Sequence, residues 1–199
     1  MPQESSETAG GVRTPVSSLS AGVSRRRSPE QRLSIRFPSL YRLISRSFFR
    51  LPARSRLRRS ALARNMALVY AAANRRDFDV VLVGLDPGFE YRPSADLRPP
   101  DLEPVFHGHD GYLKLWRYWL EAFEDIHWEP EEILDLGETL IVTTQQKGRG
   151  SGSGVAVSEP VFQVFHMRDG LVLRQSDFLD RSQALDAASL PPGGLDHPP

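Results

Sequence analysis

From Ile126 to Leu179 the chain is built almost entirely of β-type residues broken only by turns, and no other stretch restricts the fold so strongly. Four runs follow one another: Ile126 to Leu136, Thr139 to Lys147, Val155 to Arg168 and Leu171 to Leu179. Gly137-Glu138 and Asp169-Gly170 join neighbouring runs as tight hairpin turns, and Asp-Gly supplies the positive φ values such turns need. Gly148 to Gly154 is a longer hairpin connection. Its composition resembles a phosphate loop, but it lacks a Gly-Lys-Ser/Thr ending and joins two strands rather than a strand to a helix. Four strands in this succession predict an antiparallel meander.

The segments before the meander carry helical periodicity. Leu62, Met66, Val69, Tyr70 and Ala73 line one stripe of a helix predicted from Ser60, as N-cap, to Asn74. Asp77 is placed to cap a shorter helix, Phe78 to Leu85, closed by Asp86-Pro87-Gly88. Phe89 to Arg92 reads as a short strand, and Pro93 to Pro104, with four prolines, as an irregular loop. A third helix starts at His109 or Asp110 and runs to Asp125, burying Leu113, Trp116, Leu120 and Phe123. Arg181 to Ser189 can form a terminal helix. Helices on one side of an antiparallel sheet define an α+β fold with a single core between the layers. A curved sheet wrapped on helices leaves a conical pocket.

Charge divides the chain. Residues 1–60 hold thirteen Arg, no Lys and three acids, a net +10, whereas residues 61–199 carry −10. Residues 1–36 are expected to be a disordered basic arm, because Ser, Gly, Pro and Arg without periodicity bury too little to offset ordering. Residues 37–58 form a basic amphipathic helical extension: Leu40, Leu43, Ile44, Phe48 and Leu51 recur at helical spacing, with Arg42, Arg46 and Arg50 on another face, and Pro52 ends it. A helix docked on the domain is the plain reading; a nucleic-acid or anionic-membrane contact is the sharper one. The domain proper spans 59–189, and 190–199 is a flexible tail. With no cysteine, disulfides, thiolate metal sites and cysteine nucleophiles are excluded. No run reaches the length of a membrane span and no apolar secretory segment opens the chain, so a cytoplasmic location is expected.

Several segments, in order, resemble the nuclear transport factor 2-like superfamily, in particular its SnoaL-like branch. They are Tyr70-Ala71-Ala72-Ala73-Asn74-Arg75-Arg76-Asp77-Phe78-Asp79, then Leu85-Asp86-Pro87-Gly88-Phe89-Glu90-Tyr91, then Gly108-His109-Asp110-Gly111-Tyr112 leading into Trp116, and finally Met167 to Val172 and Asp177 to Asp180. The resemblance implies a cone-shaped α+β fold, a pocket, and a homodimer through the outer sheet face. Its members include cyclases, isomerases, hydrolases, dehydratases and non-catalytic binding modules, so it constrains function loosely. The residues a steroid isomerase needs fall on Val69, Arg92 and Phe162, and that activity is rejected. The epoxide hydrolase set is not assembled either, since Arg174 and Asp177, three apart on one strand, face opposite sides.

The candidate site follows. His109, Asp177 and Glu159 are the candidate acids and bases: His109 at the mouth of the third helix, Asp177 on the last strand as in the cyclase members, and Glu159 sharing a strand face with Gln163. Whether that face lines the pocket or lies outside is open. Tyr70, Tyr91, Arg92, His107, Trp116 and Gln163 are the candidate ligand contacts, Arg92 as a bidentate partner for an anion. No cofactor is expected, and no metal, because His107 and His109 have no third ligand at a suitable spacing. The expected partner is a small apolar molecule, either bound only or bound and converted by acid/base chemistry of the isomerase, cyclase or hydrolase type. The alternative is a non-catalytic dimeric module whose Arg-rich arm meets an anionic partner; nucleic acid is disfavoured by the acidic body.

Overall fold

The computed structural model describes residues 11–16, 26–98 and 102–190. The disorder expected for residues 1–10 and 17–25, and the flexible tail from 191 on, fall outside the described residues. In chain order the elements are β1 (Val12–Pro15), α1 (Pro29–Arg36), α2 (Pro38–Phe49), α3 (Arg56–Asn74), α4 (Phe78–Val83), β2 (Leu85–Pro93), a 3-10 turn (Ala95–Leu97), β3 (Phe106–His107), α5 (Gly108–Ala122), β4 (His127–Asp135), β5 (Thr139–Arg149), β6 (Ala156–Arg168), β7 (Leu171–Phe178) and α6 (Arg181–Ser189).

The strands form one curved, unclosed sheet in the order β1-β4-β5-β6-β7-β2-β3. The meander β4 to β7 is antiparallel throughout, as its turns dictate. Asp169 and Gly170 both adopt positive φ, 51° and 79°, which is the two-residue turn their sequence predicts. The sheet is mixed rather than wholly antiparallel, because β2 pairs parallel with β7. That neighbour is reached only after α5 and four strands, β3 to β6, and no local periodicity encodes it.

Three expectations need correction. Part of the basic arm is ordered: β1 adds to the edge of β4, with Val12 opposite Asp135, and α1 stands on a capping box in which Ser28 Oγ accepts from Gln31 N and Gln31 Oε1 from Ser28 N. Second, α3 begins at Arg56 with Ser55 as its cap, one turn earlier than Ser60. Third, Asp77 makes no side-chain cap for α4; its carboxylate is taken by Arg27 and Arg75, which tie α1 to the α3–α4 turn. The β-type run after α4 starts at Leu85, so Asp86-Pro87-Gly88 lies in β2.

Alternation along the strands divides the core. Ile133, Leu140, Val142 and Phe165 face the helices, together with Leu62, Met66, Tyr70, Tyr91 and Trp116. Leu134, Ile141 and Val164 face the other way and are covered by Ala184 and Ala188 of α6, which Asp180 caps through the backbone N–H groups of Ser182 and Gln183. Helix α2 lies across the open end of the cone. Ser45 Oγ donates to Gly170 O at 2.6 Å, Arg46 Nε meets Asp169 Oδ1 at 3.0 Å, and Tyr41 Oη donates to Asn65 Oδ1 at 3.3 Å. A Cβ on Gly170 would stand 2.7 Å from the backbone carbon of Ser45. Gly170→Ala, strained at its positive φ and colliding with backbone, should therefore loosen α2 by about 1–3 kcal/mol. Tryptic cleavage after Arg42, Arg46 and Arg50 is the measurement, expected to quicken roughly tenfold or more; an unchanged rate refutes the docking.

Candidate functional site

Between the helices and the concave sheet face is a cavity of about 500 Å³. Its walls are mostly hydrocarbon. Met66, Val69, Tyr70 and Ala73 come from α3 and Leu115 and Trp116 from α5, with Trp128, Phe165 and Val172 from the sheet. Tyr41, Ile44, Phe48 and Phe49 of α2 form the roof, so a segment that the sequence suggested was an extension supplies one side of the site.

The aromatic wall is held rigidly. Trp116 packs at 5.0 Å from both Phe78 and Trp128, and the Arg76 guanidinium lies 5.2 Å from its ring centre. Trp128 is clamped in turn: Asn74 Nδ2 donates to its carbonyl at 2.8 Å, Asn74 Oδ1 accepts from its amide at 3.0 Å, and its indole N–H donates to Gln146 Oε1 at 2.9 Å. An apolar slot with fixed aromatic walls results.

Polar groups converge at one place on this wall. Asp177 of β7 accepts from Gln175 Nε2 at 2.9 Å on Oδ1, and from Gln163 Nε2 at 2.9 Å and Tyr91 Oη at 3.2 Å on Oδ2. Tyr70 Oη donates to Gln163 Oε1, which fixes the amide so that its NH₂ group faces the carboxylate. All five residues are buried and line the cavity. Burial pushes the Asp177 carboxyl up to about 6, against the opposing effect of hydrogen bonds from Gln175, Gln163 and Tyr91. Burial, followed by the nearby Asp177 charge, also raises Tyr70 and Tyr91 well above the ordinary phenol value, so both stay neutral donors. A carboxylate has about four acceptor sites, and three donors leave one for a guest molecule.

Of the residues singled out from sequence, Tyr70, Tyr91, Trp116, Gln163 and Asp177 meet at the cavity. The other four do not line it. Arg92 turns to the outer face and pairs with Glu90 at 3.0 Å, because Tyr91 takes the inward position and neighbours on a strand alternate. Exposed His107 stands 3.7 Å from the same Glu90. His109 Nε2 lies 3.5 Å from Leu85 O in the first turn of α5. Glu159 sits opposite Gln146, four residues from Gln163 and so roughly 13 Å further along β6. Sequence reasoning missed Gln175, Tyr112 and Trp128. Gln175 was within reach, since a residue two before Asp177 shares its face. Among the described residues no cluster of three or more His, Asp or Glu is arranged to hold a metal.

A cone with an apolar cavity and a buried carboxyl group on the cavity wall makes this a small pocket-bearing α+β protein, and comparisons with known proteins agree on the fold. The model of the SnoaL-like domain family matches residues 67–175, and the chain belongs to that family. No curated protein matches the chain in sequence. Among solved structures, an NTF2-like protein of unknown function from Burkholderia pseudomallei superposes with a TM-score of 0.54 at 20% identity, covering 64% of this chain and 96% of its own. TerC, co-crystallised with polyporic acid, gives 0.53 at 21% identity, covering 63% and 95%. IdmH of Streptomyces antibioticus, a candidate polyketide cyclase, gives 0.50 at 16% identity, covering 64% and 98%. These likenesses are of fold. Each neighbour is matched over nearly its whole length, while about a third of this chain has no counterpart in it.

Proposed function

We propose that the chain binds a small apolar, ring-bearing molecule in the cavity and moves a proton on it with Asp177, as an isomerase, cyclase or hydrolase of the acid/base type. The observation that carries this reading is the Asp177 carboxyl itself, facing a hydrocarbon cavity and held near neutrality by burial. Such a group both takes and returns a proton near pH 6–7, which general acid–base catalysis requires. The amides of Gln163 and Gln175 beside it can shift their donors to an oxygen that gains charge on the guest. Kinship with SnoaL-like proteins, and TerC's crystallisation with polyporic acid, support a small organic ligand.

A non-catalytic binding module is the second reading, favoured by the three donors that already hold Asp177. Trp116 and Trp128 offer a direct readout of binding. Polyporic acid, and separately polycyclic ketones and phenols, are expected to quench tryptophan fluorescence saturably, and Val69→Trp, which fills the cavity, to weaken binding roughly tenfold or more. Saturable binding without any chemical change in the bound ketones would favour the second reading. Quenching that Val69→Trp leaves intact would remove the cavity as the binding site.

A further inference from the structure

No acid occurs between Glu30 and Asp77, a stretch holding twelve Arg and no Lys. Within it, Arg58 is buried against Asp135, while Arg42, Arg46 and Arg64 pair with Asp86, Asp169 and Glu30. Arg32, Arg50, Arg54 and Arg56 are exposed, with no acidic partner among the described residues. The same segment concentrates exposed carbon. Six of the nine large exposed hydrophobic residues among those described are Leu33, Phe37, Leu40, Leu43, Ile44 and Leu57, each between 43% and 61% exposed. Leu33 and Phe37 are four apart, and Leu40, Leu43 and Ile44 recur at helical spacing on α2, so these are helix faces rather than scattered side chains.

We propose that the outward face of α1 and α2 docks on an anionic lipid bilayer. Leucine and phenylalanine faces beside unpaired guanidinium groups match a helix lying in the plane of a membrane surface, with apolar side chains entering the acyl boundary and arginines reaching phosphate headgroups. A nucleic acid would engage the charges and leave the leucines in water. Ile44 and Leu57 are at once exposed and part of the cavity lining, so the cavity opens within the docking face. Docking therefore sets that opening against lipid. The roof segment lies outside the matched family region, residues 67–175, which makes it an addition to the shared fold. The docking itself does not depend on what the cavity holds.

Flotation of the full chain with vesicles tests this. The chain should float with phosphatidylcholine vesicles containing phosphatidylglycerol, far less with phosphatidylcholine alone, and less at high salt. Leu40→Glu/Leu43→Glu, at exposed positions, should lower partitioning roughly tenfold or more. Arg50→Gln/Arg54→Gln/Arg56→Gln should lower it by a similar factor and flatten the salt dependence. Circular dichroism melts of both variants should match the parent. Three results would overturn the proposal: a parent chain that stays in solution, partitioning untouched by the leucine substitutions, or duplex DNA retained more tightly than vesicles at equal salt and indifferent to those leucines.

Discussion

Arg58→Ala should lower the free energy of unfolding by about 3–5 kcal/mol, a large part of what a domain of this size possesses. Arg58 is 2% exposed and Asp135 1%. The guanidinium makes a two-pronged contact, Nε and Nη2 each 2.7 Å from a carboxylate oxygen. Its Nη1 donates to the carbonyls of Phe49 and Leu51 at 2.7 and 2.8 Å, Nη2 also reaches Gly137 O, and the Phe49 ring lies 4.8 Å from the guanidinium carbon. One side chain thereby fastens the start of α3, the end of α2 and the β4–β5 turn. Removing it leaves a carboxylate and three carbonyls out of water with too few donors, the costly half of breaking a buried pair. Arg58→Lys should recover little, because an ammonium cannot reproduce the fork. Arg58→Met/Asp135→Leu should recover part of the loss, since no charge is then stranded while the carbonyls of Phe49, Leu51 and Gly137 still lack that donor. Urea denaturation followed by tryptophan fluorescence measures all three; a loss below about 1 kcal/mol for Arg58→Ala would show that the pair contributes little.

That contact also marks where sequence reading stops. Arg58 looked like one more arginine of a basic extension, and its partner lies 77 residues away. Pairings over such distances leave no periodic trace. The same holds for β1 on β4 and for the parallel junction of β2 with β7, whereas the meander was legible because each pairing is enforced by a turn of a few residues. Capping signals lie between these cases: Ser28-Pro29-Glu30-Gln31 spells a capping box, yet the polar, arginine-rich surroundings argued for disorder. At the site, Tyr91 and Arg92 could not both point inward, and alternation decided for the tyrosine once the sheet's inner face was known. Glu159 shows the opposite limit, sharing a face with Gln163 but standing too far along the strand to reach the cavity. Period fixes a face; only the three-dimensional outline says where along it the cavity ends.

Asp177→Asn should separate stability from chemistry. The folded chain holds this carboxyl at about 6, above its ordinary 3.8, so between those values the folded state binds a proton that the unfolded state has released. Stability contributed by this group is thus greatest below pH 4, falls as pH rises, and levels off above about pH 7, a total change of about 3 kcal/mol. Asparagine cannot ionise, and the slope between pH 4 and 7 should flatten. With one oxygen instead of two it leaves Gln163 or Gln175 without an acceptor, a loss of about 1 kcal/mol, so the variant should be slightly weaker at pH 4 and more stable by about 1–2 kcal/mol at pH 8. On the proton-transfer role proposed above, the substitution should also slow turnover of a cavity ligand by roughly 10²–10⁴-fold while its affinity changes less than tenfold. A variant with full turnover and an unaltered pH–stability profile would show instead that the carboxylate only frames the pocket.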